Sequence, residues 1–170
     1  MKRQIAALFA LSLMVPTSAS AASFLTEFLI GGCLLPEAKF EGVVAFAGAA
    51  GWKKAPEDVL PLIKPSQEPV RFEAWVVQEY DGPFIVAASV GVADGIEIPS
   101  CTIMGKADIS EVEAALAKLG ARVLNEADEV VQITKVFEIS RLGNRMLVIL
   151  VHAPGQPDGI MTAAVTDGVD

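Results

Sequence analysis

The chain has 170 residues, 52% of them hydrophobic, with 21 acidic against 13 basic side chains and a formal net charge of −8. That length suits one domain with its own core. The acidic balance argues against nucleic acid or an anionic membrane surface as a partner, because phosphate backbones are held by clustered Lys and Arg.

The chain opens "MKRQIAALFALSLMVPTSASAAS". Lys2 and Arg3 form a positive start, Ile5 to Val15 is an apolar run, and Ala19-Ser20-Ala21 supplies the small residues a signal peptidase needs. The run is shorter than the roughly 20 apolar residues of a membrane-spanning helix. Residues 1–21 therefore read as a cleaved secretory signal, with Ala22 as the expected mature start and 22–170 as a single domain. Cleavage removes two basic residues and no acidic ones, which takes the net charge from −8 to −10. The remaining chain has no apolar stretch long enough to span a bilayer, so no stable membrane insertion is expected after cleavage.

After the signal, "SFLTEFLIGGC" predicts a short helix capped by Ser23 and broken at Gly31-Gly32 and Pro36. Pro36 suits the first position of a second helix, where its missing N–H costs nothing. In that helix Phe40, Val43, Val44 and Ala47 recur on one face. Gly51 is a natural left-handed cap, and Trp52 can pack back on the last turn. Residues 53–69 hold Pro56, Pro61, Pro65 and Pro69, which predicts a connecting segment with at most one short helical turn.

From Val70 the texture is that of strands. "VRFEAWVVQ", "FIVAASVGV" and "IEIPSCTIMG" are separated by turns at Asp81-Gly82 and Asp94-Gly95. Pro99 suggests an edge position or a bulge for the third strand. Asp108 and Glu111 have the spacing of a capping box; Ile109, Val112, Leu116 and Leu119 line one helix face, and Gly120 ends it. Three more strands follow "ARVLNEAD", with turns at Gly143-Asn144 and at 154–159. The order α-α-β-β-β-α-β-β-β excludes a doubly wound parallel sheet and predicts an α+β fold, a two-layer sandwich of helices on an antiparallel sheet. The two halves share an order of elements without a residue-level repeat.

The layout FL…C…P…F…AGW, carried by Phe28, Leu29, Cys33, Pro36, Phe40, Ala50, Gly51 and Trp52, is followed by Cys101 and the Asp108-x-x-Glu111 helix start. Over about residues 30–120 this resembles a family of small secreted α-proteobacterial proteins. The family is functionally uncharacterised, so the resemblance implies a bacterial envelope location and no activity.

Cys33 and Cys101 admit four readings. Ile30-Gly31-Gly32-Cys33 is similar to a lipobox, but Pro16 and Glu27 separate it from the apolar core of the signal. A nucleophilic cysteine needs a base, and the one histidine, His152, falls near the end of an apolar strand with no surrounding motif. Zinc needs three or four ligands at suitable spacing, and none is evident. An exported chain with two cysteines favours the fourth reading, a Cys33–Cys101 disulfide joining the helical region to the sheet.

No phosphate-loop, dinucleotide-binding, zinc-protease or serine-hydrolase pattern occurs, so no cofactor, metal or catalytic residue is assigned. The close carboxylates Glu57-Asp58 and Glu126-Asp128-Glu129 read as turn residues. Trp75 shares its strand face with Arg71. If the Phe72 face is the core face, Trp75 and Arg71 become a candidate interface; otherwise the helices cover Trp75. Two functions remain: a non-enzymatic periplasmic or secreted module binding an envelope protein or a small ligand, and an alternative hydrolase using scattered carboxylates and His152. Sparse catalytic residue types favour binding.

Overall fold

The computed structural model describes residues 23–35, 37–141, 143–156 and 158–168. The expected signal at residues 1–21, Ala22 and the expected helix-starting role of Pro36 lie outside the described residues. The chain is α+β, and every strand among the described residues lies in one eight-stranded antiparallel sheet. Its elements are α1 (Phe24–Phe28), a π-helical stretch (Leu29–Leu34), α2 (Phe40–Ala49), β1 (Lys53–Lys54), a 3-10 turn (Leu60–Leu62), β2 (Arg71–Glu79), β3 (Gly82–Ala93), β4 (Ile96–Lys106), α3 (Ile109–Lys118), β5 (Arg122–Asp128), β6 (Ile133–Arg141), β7 (Asn144–His152) and β8 (Ile160–Asp167).

Four elements differ from expectation. The first helix runs on through Gly31-Gly32 as a π turn, with Leu35 N–H donating to Ile30 O at 2.8 Å. Cys33 and Leu34 thereby stay buried on the helix's inner side. Strands β1 and β5 were not expected. The first is only Lys53-Lys54, and the second, "RVLNEAD", is exposed along nearly its whole length and lacks period-two alternation. Strand β4 is central rather than an edge, paired with β3 on one side and β8 on the other. Pro99 is tolerated because pairing with β8 begins one residue later, at Ser100, and the Pro99 carbonyl accepts from the Thr166 hydroxyl at 3.1 Å.

The strand order β1-β2-β3-β4-β8-β7-β6-β5 reads as a helix and four strands used twice, joined at the β4–β8 seam. Displacement by 62 residues carries Trp75 to Phe137, Val86 to Val148 and Ile103 to Val165, with pairing preserved. Trp75 faces Val86 and Phe137 faces Val148; Val86 faces Ile103 and Val148 faces Val165. At the seam Cys101 pairs with Val165 and Ile103 with Ala163, so the pseudo-twofold passes through the Thr102–Ala164 pair. Both helices end alike. Trp52 N–H donates to Ala47 O and Ala121 N–H to Leu116 O, after Gly51 at φ +68° and Gly120 at φ +81°. That six-to-one bond with a left-handed glycine is the Schellman arrangement, and it turns each helix straight into an edge strand.

The repeat lives in packing classes rather than identities, which is why sequence comparison of the halves shows nothing. On one sheet face the buried pairs are Trp75 and Phe137, Val77 and Ile139, Phe84 and Met146, Ala88 and Leu150, Cys101 and Ala163. These join Leu25, Leu29, Leu34, Val43, Ala47, Val112 and Leu116 from the helices in one continuous core. At one spot this core has no spare volume. A Cβ added at Gly105 would lie 2.1 Å from the Phe84 ring, which is itself fully buried.

Cys33 and Cys101 form the expected disulfide, with 5.4 Å between Cα atoms and 68 residues between them. The bridge fastens the π turn to the central strand. Opening it by Cys33→Ala/Cys101→Ala frees a long loop in the unfolded chain and should lower stability by about 4 kcal/mol, measured by urea unfolding against the oxidised protein. Gly105→Ala should cost about 1–3 kcal/mol in the same assay, because Phe84 has no room to turn away.

Candidate functional site

The second face of the sheet is treated differently in the two halves. In the first half Ala55, Leu60 and Ile63 of the proline-rich segment lie over Phe72, Ala74, Ile85, Ala87 and Met104. Ala55 N–H donates to Ala74 O at 2.9 Å and Val70 N–H to Val90 O at 2.8 Å, which pins both ends of the segment to the sheet. Alanines at 74 and 87 give that segment space. In the second half the connection between β5 and β6 is only residues 129–132, too short to lie over the sheet. The equivalent positions are Thr134, Val136, Leu147, Ile149 and Thr166, all half-buried.

Where covered and open halves meet, Pro65 and Pro69 stand as a ridge against Ile149, Ala164 and Thr166, bounding a groove of about 190 Å³. Ser89 and Ser100 supply hydroxyls along its floor. The outer border of the open face is charged. Glu138 accepts from Arg122 Nη2 at 2.6 Å and from Arg145 Nε at 2.7 Å. These bonds, Arg145's first and then Arg122's, hold the Glu138 carboxyl below its ordinary value. Nothing in the sequence marked this face, because Val136, Leu147 and Ile149 alternate like the solvent side of any half-buried strand.

The structure puts Trp75 in the core at 3% exposure, where the helices cover it and Lys54 Nζ lies 4.5 Å from its ring centroid. Trp75 is therefore not an interface anchor, and the alternative, a ring covered by helices, is the one observed. The ambiguity had a physical cause: β2 is covered on both faces, so alternation alone does not say which face is inner. Arg71 is at the surface, where it pairs with Glu41 and lies over the Phe40 ring. Both cysteines are in the disulfide, so neither is a nucleophile, a metal ligand or a lipidation site in this state.

His152 lines a separate cavity of about 300 Å³ at the start of α3, together with Ser110, Glu113, Glu126 and Lys135. Lys135 Nζ is 2.8 Å from Glu113 and 3.6 Å from Glu126. The hydrogen bond that Lys135 donates to Glu113 comes first among the causes that raise the Lys135 pKa, so the amine is held as an ammonium and is a poor base. His152 Nδ1 lies 3.2 Å from the Ala153 carbonyl, and its buried Nε2 has no partner among the described residues. A general base needs a group that orients it and a nucleophile within reach. Among the described residues no carboxylate bonds either ring nitrogen. Glu57-Asp58 is not brought to this cavity, whereas Glu126 is.

No protein-family model matches the chain, and no curated protein or solved structure matches it either.

The depressed Glu138 value has a defined sign. Its stabilisation is fully present above the ordinary carboxylate value of 4.5 and is lost as pH falls through the lower folded value. Glu138→Gln should therefore be less stable than the parent at neutral pH. The gap should close as the pH is taken below that range, followed by thermal melts across a pH series.

Proposed function

We propose that the protein is an exported, non-catalytic binding module, and that its partner is an envelope protein laying an apolar segment on the open face of β6, β7 and β8. One observation carries the reading. The chain covers this face of its own first half with a proline-rich segment, and among the described residues nothing covers the equivalent face of the second half. Val136, Leu147 and Ile149 offer aliphatic surface there, the Pro65–Pro69 ridge gives a wall to align against, and Arg122 and Arg145 give a polar border. An apolar centre within a charged rim is the anatomy of protein contact surfaces.

The disulfide is consistent with an oxidising compartment, and the chain's N-terminal pattern with export to it. Among the described residues no helix is long and apolar enough to cross a membrane. The resemblance to secreted α-proteobacterial proteins points to the same compartment. The hydrolase alternative rests on His152 and Glu126 in the second cavity.

A photo-crosslinking residue at position 149 tests the proposal in the native envelope, with position 78 on the exposed first-half edge as control. A discrete crosslinked partner at 149 that is absent at 78, and lost on Val136→Glu in a protein of unchanged melting temperature, is the expected result. No crosslink at 149, together with an esterase or amidase activity abolished by His152→Ala, would replace binding with catalysis.

A further inference from the structure

The first described residues of the chain enter a negatively charged recess. Ser23 N–H donates to Glu111 Oε1 at 2.9 Å, the Ser23 hydroxyl is 3.4 Å from the same oxygen, and Phe24 N–H donates to Asp81 Oδ2 at 2.9 Å. Asp81 Oδ1 is sealed from solvent and has no hydrogen-bond partner among the described residues. Asp108 and Asp158 line the same cavity of about 320 Å³, with Lys106 on its wall. Among the described residues no Lys or Arg pairs with Asp81, Asp108, Glu111 or Asp158.

Neutral peptide N–H groups are weak company for this much negative charge. A sheltered carboxylate is stabilised most by a cation within hydrogen-bond reach. Glu111 also forgoes a local role. At the third position of α3, behind Asp108 as N-cap, it has the spacing to close a capping box, yet it turns outward to Ser23. Immediately upstream the chain reads Ser20-Ala21-Ala22, small residues at the two positions that set a signal-peptidase cut.

We propose that export processing cuts after Ala22, one residue beyond the site expected from the sequence, and that the Asp81–Glu111 recess is the receptor for the new α-ammonium of Ser23. The cut turns the nitrogen already bonded to Glu111 from an amide into a cation with three donors. Peptide-bond hydrolysis consumes one water and leaves the Ala22 carboxylate on the departing segment. The charged end then ties α1 to the β2–β3 turn, where Asp81 sits, and to the first turn of α3, where Glu111 sits. Retained upstream residues hold Ser23 as an amide, so the fully tied fold forms only after the leader is removed. The inference rests on the export reading, from which it must be separated by experiment.

Intact-mass measurement of the protein recovered from its native envelope, after reduction, gives the first branch. A chain beginning at Ser23 is expected. A chain beginning at Ala22 would keep export and overturn the receptor, whereas an uncut chain would remove the export reading as well.

The second branch is thermal melting of the Ser23-initiated chain with its α-amine free or acetylated. Acetylation should lower the melting temperature by about 4 °C, the scale for a partly buried ion pair in a domain of this size. Acetylation should have no further effect in Glu111→Gln, whose free-amine form should already melt lower. Equal melting of free and acetylated chains would overturn the proposal, and that comparison needs no variant that could misfold.

Discussion

The ladder between β4 and β8 is the constraint on which the rest of the molecule depends. It joins two four-stranded units edge to edge, so neither β4 nor β8 is left as an open edge facing solvent or another chain. Each core-facing side chain of β4 and β8 must then meet a neighbour from its own unit on one side and from the other unit across the seam. The Thr102–Ala164 pair lies on the pseudo-twofold, flanked by Cys101 with Val165 and by Ile103 with Ala163. A slip of one residue would turn Ile103, Ala163 and Val165 out of the core together, so the register is held by the burial of the whole face.

The duplicated units leave α1 and the π turn as the unpaired part of the design. This segment touches both β4 and β8, over the seam, where the two halves meet and neither α2 nor α3 has an equivalent element. Its position is set from three sides. The disulfide ties Cys33 to β4 beside the pseudo-twofold, and the Phe24, Phe28, Phe46, Trp52 and Phe84 rings pack at centroid distances between 5.0 and 6.5 Å. Ser23 and Phe24 bond carboxylates of two different elements. A short helix has little stability of its own, so its order here derives from these attachments.

Much of this was legible in the residues and some was not, for identifiable reasons. The Gly51 and Gly120 helix ends and the Asp94-Gly95 hairpin follow from local chemistry that admits few alternatives, whereas the disulfide was one of four readings and was favoured by the export pattern. The helix break at Gly31-Gly32 failed because Cys33 and Leu34 gain more from burial than the glycines lose in a helical turn. Strand β5 was missed because an exposed edge needs no alternation, and β4 looked like an edge because Pro99 sits one residue beyond its second ladder. Trp75 was ambiguous because β2 is buried on both sides. The open face could not be read at all, since its openness depends on what a distant connection does not cover.

The two halves differ most where they are least constrained. The connection after β1 runs from residue 55 to 70 and the one after β5 from 129 to 132, yet the strands they join pair in the same register. A longer connection adds little closure cost, because that cost grows only with the logarithm of length. The extra residues were therefore free to cover one sheet face, with alanines 74 and 87 opening space for Leu60 and Ile63. The shorter connection could not do this, and Val136 and Ile149 stand where those alanines would be. Larger side chains recover some of the burial a cover would give, which is why this face is half-buried rather than bare. A partner that seats there has only the remaining aliphatic surface to remove from water. Its specificity must come from the features that border that surface, the proline ridge on one side and the Arg122–Glu138–Arg145 group on the other.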